Sequence, residues 1–121
     1  MARILFIDDD PMTLETLQRS IELFGHQAIL ASSGEQAKAL VNEQSPDLIM
    51  TDMNLPDTDG ISLVKELKHD PMIAKIPIII LSASPEMDAT EISLAAGAEE
   101  FLTKPIRLEK LQSVIDRYTN D

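Results

Sequence analysis

The chain has 121 residues, 44% of them hydrophobic, which fits one folded domain spanning residues 1–121 with an apolar core. It contains no cysteine, which excludes a disulfide framework, thiolate catalysis and cysteine-type zinc sites. Lysine and arginine number 10 against 21 aspartate and glutamate residues, and the formal net charge of −11 disfavours binding to nucleic-acid phosphates. No apolar run approaches the roughly 20 residues of a membrane span. The N-terminus has no signal-peptide pattern, so we expect a cytoplasmic protein.

Five short apolar runs occur along the chain, and each is followed by a segment with helical spacing of apolar residues. The runs are too short for helices and are rich in strand-forming residues, so they predict β-strands. They occupy residues 4–7, 28–30, 47–51, 78–81 and 101–103. The chain is therefore predicted to be a strand–helix unit repeated five times.

Residues that favour helix ends predict where the helices begin and stop. Asp10 followed by Pro11 is an N-cap and first-turn pair for the first helix, and Gly25 can close that helix. Residues 33–36 have the spacing of a capping box for the second helix. The other predicted boundaries are Asp59 as the cap of the third helix, Ser84-Pro85 as the start of the fourth and Gly97 as its end.

Apolar residues recur at helical spacing in the segments that follow these starts. They are Leu14, Leu17, Ile21 and Phe24 in the first helix, Ala37, Leu40 and Val41 in the second, Leu63, Val64 and Leu67 in the third, and Leu108, Leu111, Ile115 and Tyr118 in the last. This spacing predicts amphipathic helices that can lie against a sheet.

The alternation of strands and helices predicts the architecture. Strands separated by helices pair in parallel, because each return to the sheet needs a crossover. Continuous apolar strands, rather than alternating ones, are typical of a sheet that is covered on both faces. We therefore predict an α/β fold: a doubly wound, flavodoxin-like three-layer sandwich with a parallel sheet in the order 2-1-3-4-5 and a switch point between strands one and three.

Polar residues end four of the predicted strands at the same edge of this sheet. Asp8 and Asp9 follow the first strand, Asp52 the third, Ser82 the fourth and Lys104 the fifth. Any strand that reaches solvent ends in a polar residue, and this rule explains each of these residues taken singly. It explains less well why three carboxylates occur on adjacent strands. Carboxylates that lie close together raise one another's pKa or require a cation. Mg²⁺ suits such oxygen ligands, and Lys104 can balance the remaining charge and pair with a phosphate.

Four motifs, in order and correctly spaced, carry a resemblance over essentially the whole chain. They are ILFIDDDP, DLIMTDMNLPDTDG, PIIILSA and GAEEFLTKPI. With them the chain resembles the receiver domain of bacterial two-component response regulators, of the chemotaxis-regulator type. The resemblance implies a phosphorelay protein of signal transduction.

The resemblance also implies a phosphorylation site and a metal site. Asp52 would accept a phosphoryl group from a histidine kinase or a histidine phosphotransfer protein, and the chain would catalyse only the phosphorylation and dephosphorylation of its own Asp52. Asp9 and Asp52 would ligate Mg²⁺ directly, together with the backbone carbonyl of Asn54. Asp8 would act through a bound water.

The residues around the phosphoryl group follow from the same resemblance. Ser82 would hydrogen-bond the group, Lys104 would contact it, and Phe101 would be the aromatic residue of a two-state switch. The switch would act on the face of the fourth helix, fifth strand and fifth helix, where a downstream effector protein or domain would bind and any homodimer would form. We also predict a cis peptide between Lys104 and Pro105. A tight turn must aim Lys104 at Asp52, and a cis X–Pro bond costs only about 0.5–1 kcal/mol.

Two other functions remain open. The chain could be a receiver-like module that binds partners without phosphorylation, although all the site positions of the family are intact. It could also be a small aspartate-nucleophile phosphatase similar at Asp52-Met53-Asn54, although those enzymes want a second acid where Asn54 stands. A calcium loop at residues 57–60 is rejected, because its first ligand position would be Leu55. No effector domain is visible, so we expect a stand-alone receiver or the N-terminal part of a larger regulator.

Overall fold

Within residues 1–83 and 89–119, which the computed structural model describes, five strands alternate with five helices. The strands are β1 Arg3–Ile7, β2 Gln27–Ala31, β3 Leu48–Asp52, β4 Ile78–Ser82 and β5 Glu100–Thr103. The helices are α1 Pro11–Leu23, α2 Gly34–Gln44, α3 Gly60–His69, α4 Ala89–Ala96 and α5 Leu108–Thr119. The predicted strands are confirmed, whereas the predicted start of the fourth helix at Ser84-Pro85 lies outside the described residues. No described helix is long and apolar enough to cross a membrane.

The described strands form one parallel sheet in the order β2-β1-β3-β4-β5, which confirms the predicted doubly wound, flavodoxin-like fold. The register places Ile7 of β1 beside Thr51 of β3, and Asp52 beside Leu81 of β4. Ser82, the next residue of β4, pairs with Thr103 of β5. The carboxyl ends of β1, β3, β4 and β5 therefore meet at one edge of the sheet, where the polar residues were predicted to gather.

Alternate side chains of each central strand pack into two apolar cores, one on either face of the sheet. In β4, Ile78 and Ile80 belong to the core that α2 and α3 cover, while Ile79 and Leu81 belong to the core that α1 and α5 cover. All four side chains are buried. Because both faces of the strand are covered, each position needs an apolar residue, and the run is continuous instead of alternating.

Side-chain caps fix the starts of α1 and α2 near the site. Asp10 accepts a hydrogen bond from the backbone N–H of Met12 at 3.2 Å. Ser33 likewise accepts from the N–H of Gln36 at 3.1 Å, as the capping-box spacing predicts. The side chain of Gln36, however, accepts from the N–H of Ser32 at 2.7 Å, so the reciprocal bond of that box is displaced by one residue.

The last helix departs from the predicted spacing at its first residue. Leu108 is 50% exposed, whereas Val114, which lies outside the predicted set, is fully buried beside Leu111 and Ile115. Helical side chains point toward the N-terminus, so the first side chain of a helix extends past its end. Ile106, in the loop before α5, packs against this core instead.

Candidate functional site

An acidic cluster lies at the carboxyl ends of β1 and β3. Asp8, Asp9 and Asp52 each offer a carboxylate oxygen, and these atoms all lie within 4.8 Å of one another. Asp8 is buried, Asp52 is half-buried and Asp9 is exposed, so the cluster opens to solvent on one side. Three carboxylates this close suit a hard divalent cation that takes oxygen ligands, and the residues present therefore fit Mg²⁺.

Lys104 brings positive charge to this cluster from the loop after β5. Its ammonium nitrogen Nζ lies 2.6 Å from Oδ2 of Asp8 and 3.4 Å from Oδ1 of Asp52. The backbone N–H of Lys104 donates to the carbonyl of Ser82 at 2.8 Å, which fixes the start of the loop against β4. The predicted cis peptide between Lys104 and Pro105 is confirmed.

The ionisation of the two central groups reflects burial as well as charge. Burial raises the pKa of the Asp52 carboxyl group; the ammonium of Lys104 opposes this rise, while the charge of Asp8 adds to it. Burial alone would lower the pKa of Lys104. The hydrogen bond and charge of Asp8, together with the charge of Asp52, outweigh that effect and raise the pKa, so Lys104 stays cationic at neutral pH.

Both oxygens of Asp8 are already used within the protein. Oδ1 accepts from the backbone N–H of Asp10 at 2.9 Å, and Oδ2 accepts from Lys104 at 2.6 Å. In Asp52, Oδ1 accepts from the N–H of Met53 at 2.9 Å, which orients the carboxylate at the end of β3. Asp8 is thus held in place by two hydrogen bonds, one to each of its oxygens.

The remaining predicted residues surround the cluster at different depths. Ser82 is buried at the end of β4, one residue beyond the partner of Asp52 in the sheet. Asn54 is exposed in the loop after β3 and forms an isolated bridge with Asp59. Phe101 is half-buried on β5 and packs against the core that α2 and α3 cover. The structure therefore gathers the carboxylates of Asp8, Asp9 and Asp52 within 4.8 Å of one another. Lys104 forms ion pairs with Asp8 and Asp52, and Ser82 lies at the same edge of the sheet.

Asp57 has a role that the sequence did not reveal. Its Oδ1 and Oδ2 accept hydrogen bonds from the backbone N–H groups of Gly34 and Glu35, both at 2.9 Å, at the start of α2. The sequence pattern offered Asp57 only as a rejected calcium ligand. The bonds join Asp57 to residues 22 and 23 positions away and use backbone N–H groups, which every residue except proline carries, so they leave no local sequence signal.

A family model for the response regulator receiver domain matches residues 4–116. The chain belongs to this family. Among curated relatives of the receiver, the protein PilH of Pseudomonas aeruginosa is 32% identical, with 96% of each chain covered. A gliding motility regulatory protein of Myxococcus xanthus is 38% identical over 97% of this chain, but the match covers only 15% of that relative.

The receiver matches only part of the length of several curated relatives. It covers 15% to 47% of the first three, which include the phosphate regulon transcriptional regulator PhoB of P. aeruginosa at 37% identity over 89% of this chain. Solved structures match this chain over nearly its whole length. The chemotaxis protein CheY4 of Vibrio cholerae superposes with a TM-score of 0.91 at 25% identity, with 98% of both chains covered.

Another solved relative of the receiver is the receiver domain of the P. aeruginosa sensor histidine kinase PA1611. It superposes with a TM-score of 0.89 at 28% identity, covering 99% of this chain and 98% of that one. That protein was crystallised with a magnesium ion coordinated in its active-site cleft.

Proposed function

We propose that this receiver accepts a phosphoryl group on Asp52, with Mg²⁺, from a histidine kinase or a histidine phosphotransfer protein. The observation that carries the proposal is the position of Lys104, whose ammonium lies 3.4 Å from Asp52 and 2.6 Å from Asp8. A cation that faces two carboxylates of adjacent strands suits a site where further negative charge arrives during a reaction.

The chain's own residues supply nucleophile and charge. An oxygen of the ionised Asp52 carboxylate forms a bond to phosphorus while the bond between phosphorus and the donor breaks, which leaves an acyl phosphate. The transition state is loose, so positioning and neutralisation of charge do most of the work. Lys104 holds positive charge beside the phosphoryl oxygens, and the Ser82 hydroxyl donates a hydrogen bond to one of them.

Mg²⁺, when bound, would neutralise charge on the phosphoryl oxygens. Asp9, Asp52 and the backbone carbonyl of Asn54 would hold it directly, and Asp8 through water. The lowered negative charge lets a phosphoryl donor approach an acidic edge that would otherwise repel it. Beyond phosphotransfer to its own Asp52 and the dephosphorylation of that residue, the chain would catalyse no reaction.

The output of the receiver is a change in the face formed by α4, β5 and α5. Phosphorylation draws the Ser82 hydroxyl toward the new oxygens, and the half-buried ring of Phe101 turns further inward. The structure supports joint movement of β5 and α5, because Glu100 of β5 accepts hydrogen bonds from Arg117 at 2.5 Å and Tyr118 at 2.6 Å. A downstream effector or a second copy of the chain would bind this face.

Acetyl phosphate tests the proposal without a partner protein. With Mg²⁺, the intact mass of the wild type should rise by one phosphoryl group, and Asp52→Asn should abolish this increase. Asp47→Asn, an exposed aspartate at the other end of β3, should label as the wild type does. Equal labelling of Asp52→Asn would exclude Asp52 as acceptor, and an unlabelled wild type would favour the interaction-only module. Multiple turnover of an external phosphate ester would favour the phosphatase.

A further inference from the structure

The β3–α3 loop, residues 53–59, is tied to the start of α2 by the carboxylate of Asp57. Each oxygen of that carboxylate accepts one backbone N–H, from Gly34 and from Glu35, at 2.9 Å. These bonds satisfy two of the N–H groups that the first turn of a helix leaves without partners. They also lower the pKa of Asp57, so the carboxylate is ionised at neutral pH.

Gly34 allows the loop to approach α2 this closely. A Cβ atom built at this position would lie 2.5 Å from Cγ2 of Thr58, closer than real Cβ contacts come, and 3.4 Å from Oδ1 of Asp57. The glycine is buried at the first position of α2, so the loop and the helix are in direct contact there. A side chain at position 34 would force Thr58 to shift, because its Cγ2 stands where the new Cβ would lie.

Other backbone hydrogen bonds connect the β3–α3 loop to β4 beside the site and hold the loop together. The N–H of Met53 donates to the carbonyl of Leu81 at 2.9 Å, and the N–H of Gly60 donates to the carbonyl of Met53 at 2.6 Å. Between these points the N–H of Leu55 donates to the carbonyl of Thr58 at 3.0 Å. The base of the loop is thus fixed to β4 and its outer part to α2, with Asn54 between them.

We propose that Asp57 is a positioning residue that holds the β3–α3 loop against α2 and so presents the backbone carbonyl of Asn54 to the metal. This inference rests on the proposed function, in which Asn54 contributes a ligand. A backbone ligand has no side-chain torsion with which to adjust, so its place is set by the loop alone. Both carboxylate oxygens of Asp57 already accept hydrogen bonds from these two N–H groups, so Asp57 does not compete with Asn54 as a metal ligand.

Loss of the Asp57 carboxylate should change the affinity for Mg²⁺ but not the rate of phosphoryl transfer once Mg²⁺ is bound. Asp57→Ala should weaken Mg²⁺ binding by about 10-fold, the lower end of what losing a residue that orients a ligand does. The maximal phosphorylation rate at saturating Mg²⁺ should change little, because Asp52 and Lys104 are untouched. A residue that served only stability would alter neither quantity in the folded protein.

The decisive experiment is calorimetric titration of Mg²⁺ into the full chain and its variants. Gly34→Ala should weaken binding as Asp57→Ala does, although it changes no charge. Adding Thr58→Ala to Gly34→Ala should restore affinity, because the atom nearest the new Cβ is then Oδ1 of Asp57 at 3.4 Å. Ser33→Ala removes the other cap of α2, the bond to Gln36, and should leave the affinity unchanged.

Amide hydrogen exchange without Mg²⁺ supplies a readout that does not depend on phosphorylation. In Asp57→Ala the amides of Leu55 and Gly60 should exchange faster than in Ser33→Ala. Mg²⁺ affinity of Asp57→Ala equal to that of Ser33→Ala would overturn the proposal while leaving Asp52 as phosphoacceptor. A wild type that binds no Mg²⁺ would overturn both the proposal and the metal-dependent function. If adding Thr58→Ala to Gly34→Ala did not restore the affinity for Mg²⁺, the proposal that Asp57 acts by positioning the loop would also be overturned.

Discussion

Lys104 and Asp8 form the closest ion pair of the site, with 2.6 Å between Nζ and Oδ2, although 96 residues separate them in the chain. The Asp8 side chain is only 5% exposed and that of Lys104 is 22% exposed. A charge that is buried to this degree depends on its partner, because removing one member of a buried pair leaves the other uncompensated. The contact therefore serves the fold as well as the site.

We expect Lys104→Met to lower the free energy of unfolding of the metal-free protein by about 3–5 kcal/mol, because Asp8 is left buried without a cation. Mg²⁺ should recover part of the loss. Urea denaturation with and without Mg²⁺ measures both effects. Lys38→Met is the control: its ion pair with Glu66 spans 2.7 Å but joins side chains that are 46% and 53% exposed, and its loss should matter little. Equal losses in the two variants would contradict the prediction.

Metal binding should depend unequally on the two aspartates that follow β1. Asp9→Ala should abolish measurable Mg²⁺ binding and most phosphotransfer, since it removes a direct ligand of the proposed metal site. Asp8→Ala should weaken binding by about 10-fold, as expected for a residue that acts through water. Calorimetry of the two variants decides between these effects. Unchanged affinity in both would place the metal elsewhere.

Asp52 should make stability depend on pH in a definite direction. Because burial raises its pKa in the folded protein above the ordinary value of 3.8, its protonated form favours folding and its ionised form opposes it. This stabilisation is complete below about pH 3.8 and is lost as pH rises through the raised pKa. Metal-free Asp52→Asn should therefore be more stable than the wild type at neutral pH, with a gain that shrinks toward acid. Urea denaturation across this range with a chelator tests it; a wild type of equal or greater stability at neutral pH would refute it.

The proposed switch predicts that phosphorylation and output can be separated. Beryllofluoride, a phosphoryl mimic, should shift the amide resonances of α4, β5 and α5 in the wild type. Ser82→Ala and Phe101→Ala should still bind the mimic through Asp52 but largely lose these shifts. Thr103→Ala, at the exposed residue that lies beside Ser82 in the sheet, should keep them. Identical responses in all of these proteins would show that the signal takes another route.

Ser93 of α4 carries a buried hydroxyl without a hydrogen-bond partner among the residues described. Burying an unpaired hydroxyl costs free energy, so Ser93→Ala should raise the free energy of unfolding by about 1 kcal/mol. Ser113→Ala, at an exposed position of α5, controls for the helix propensity of alanine. Thermal and urea denaturation should show a gain for Ser93→Ala beyond that of the control. A loss of stability would mean that the hydroxyl is bonded.

The strand ends could be predicted from the sequence because a parallel sheet collects them at one edge. That rule sufficed to group Asp8, Asp9, Asp52 and Lys104, whose side chains the structure brings together. It holds whatever the exact strand bounds are, since a shift of one residue leaves a strand end at the same edge. The fold and the centre of the site were therefore accessible to sequence reasoning.

Contacts between distant loops and backbone groups were not accessible in this way. The bonds of Asp57 to α2 join residues 22 and 23 positions apart and use amides that carry no sequence signature. Gly34 lies within the capping-box segment 33–36, whose spacing gives no sign of the close approach of Thr58. The burial of Ser93 likewise depends on how α4 packs against the rest of the fold, and this packing cannot be derived from the amino-acid composition.

The two cores on either side of β4 have a consequence for how its alignment in the sheet is encoded. A slip of one residue would exchange Ile78 and Ile80 for Ile79 and Leu81, and apolar side chains would still face both layers. Hydrophobicity alone therefore cannot tell the two alignments apart; the shapes of the side chains must do so. The same slip would move Ser82 by roughly 3.3 Å along the sheet, away from its place beside the end of β3.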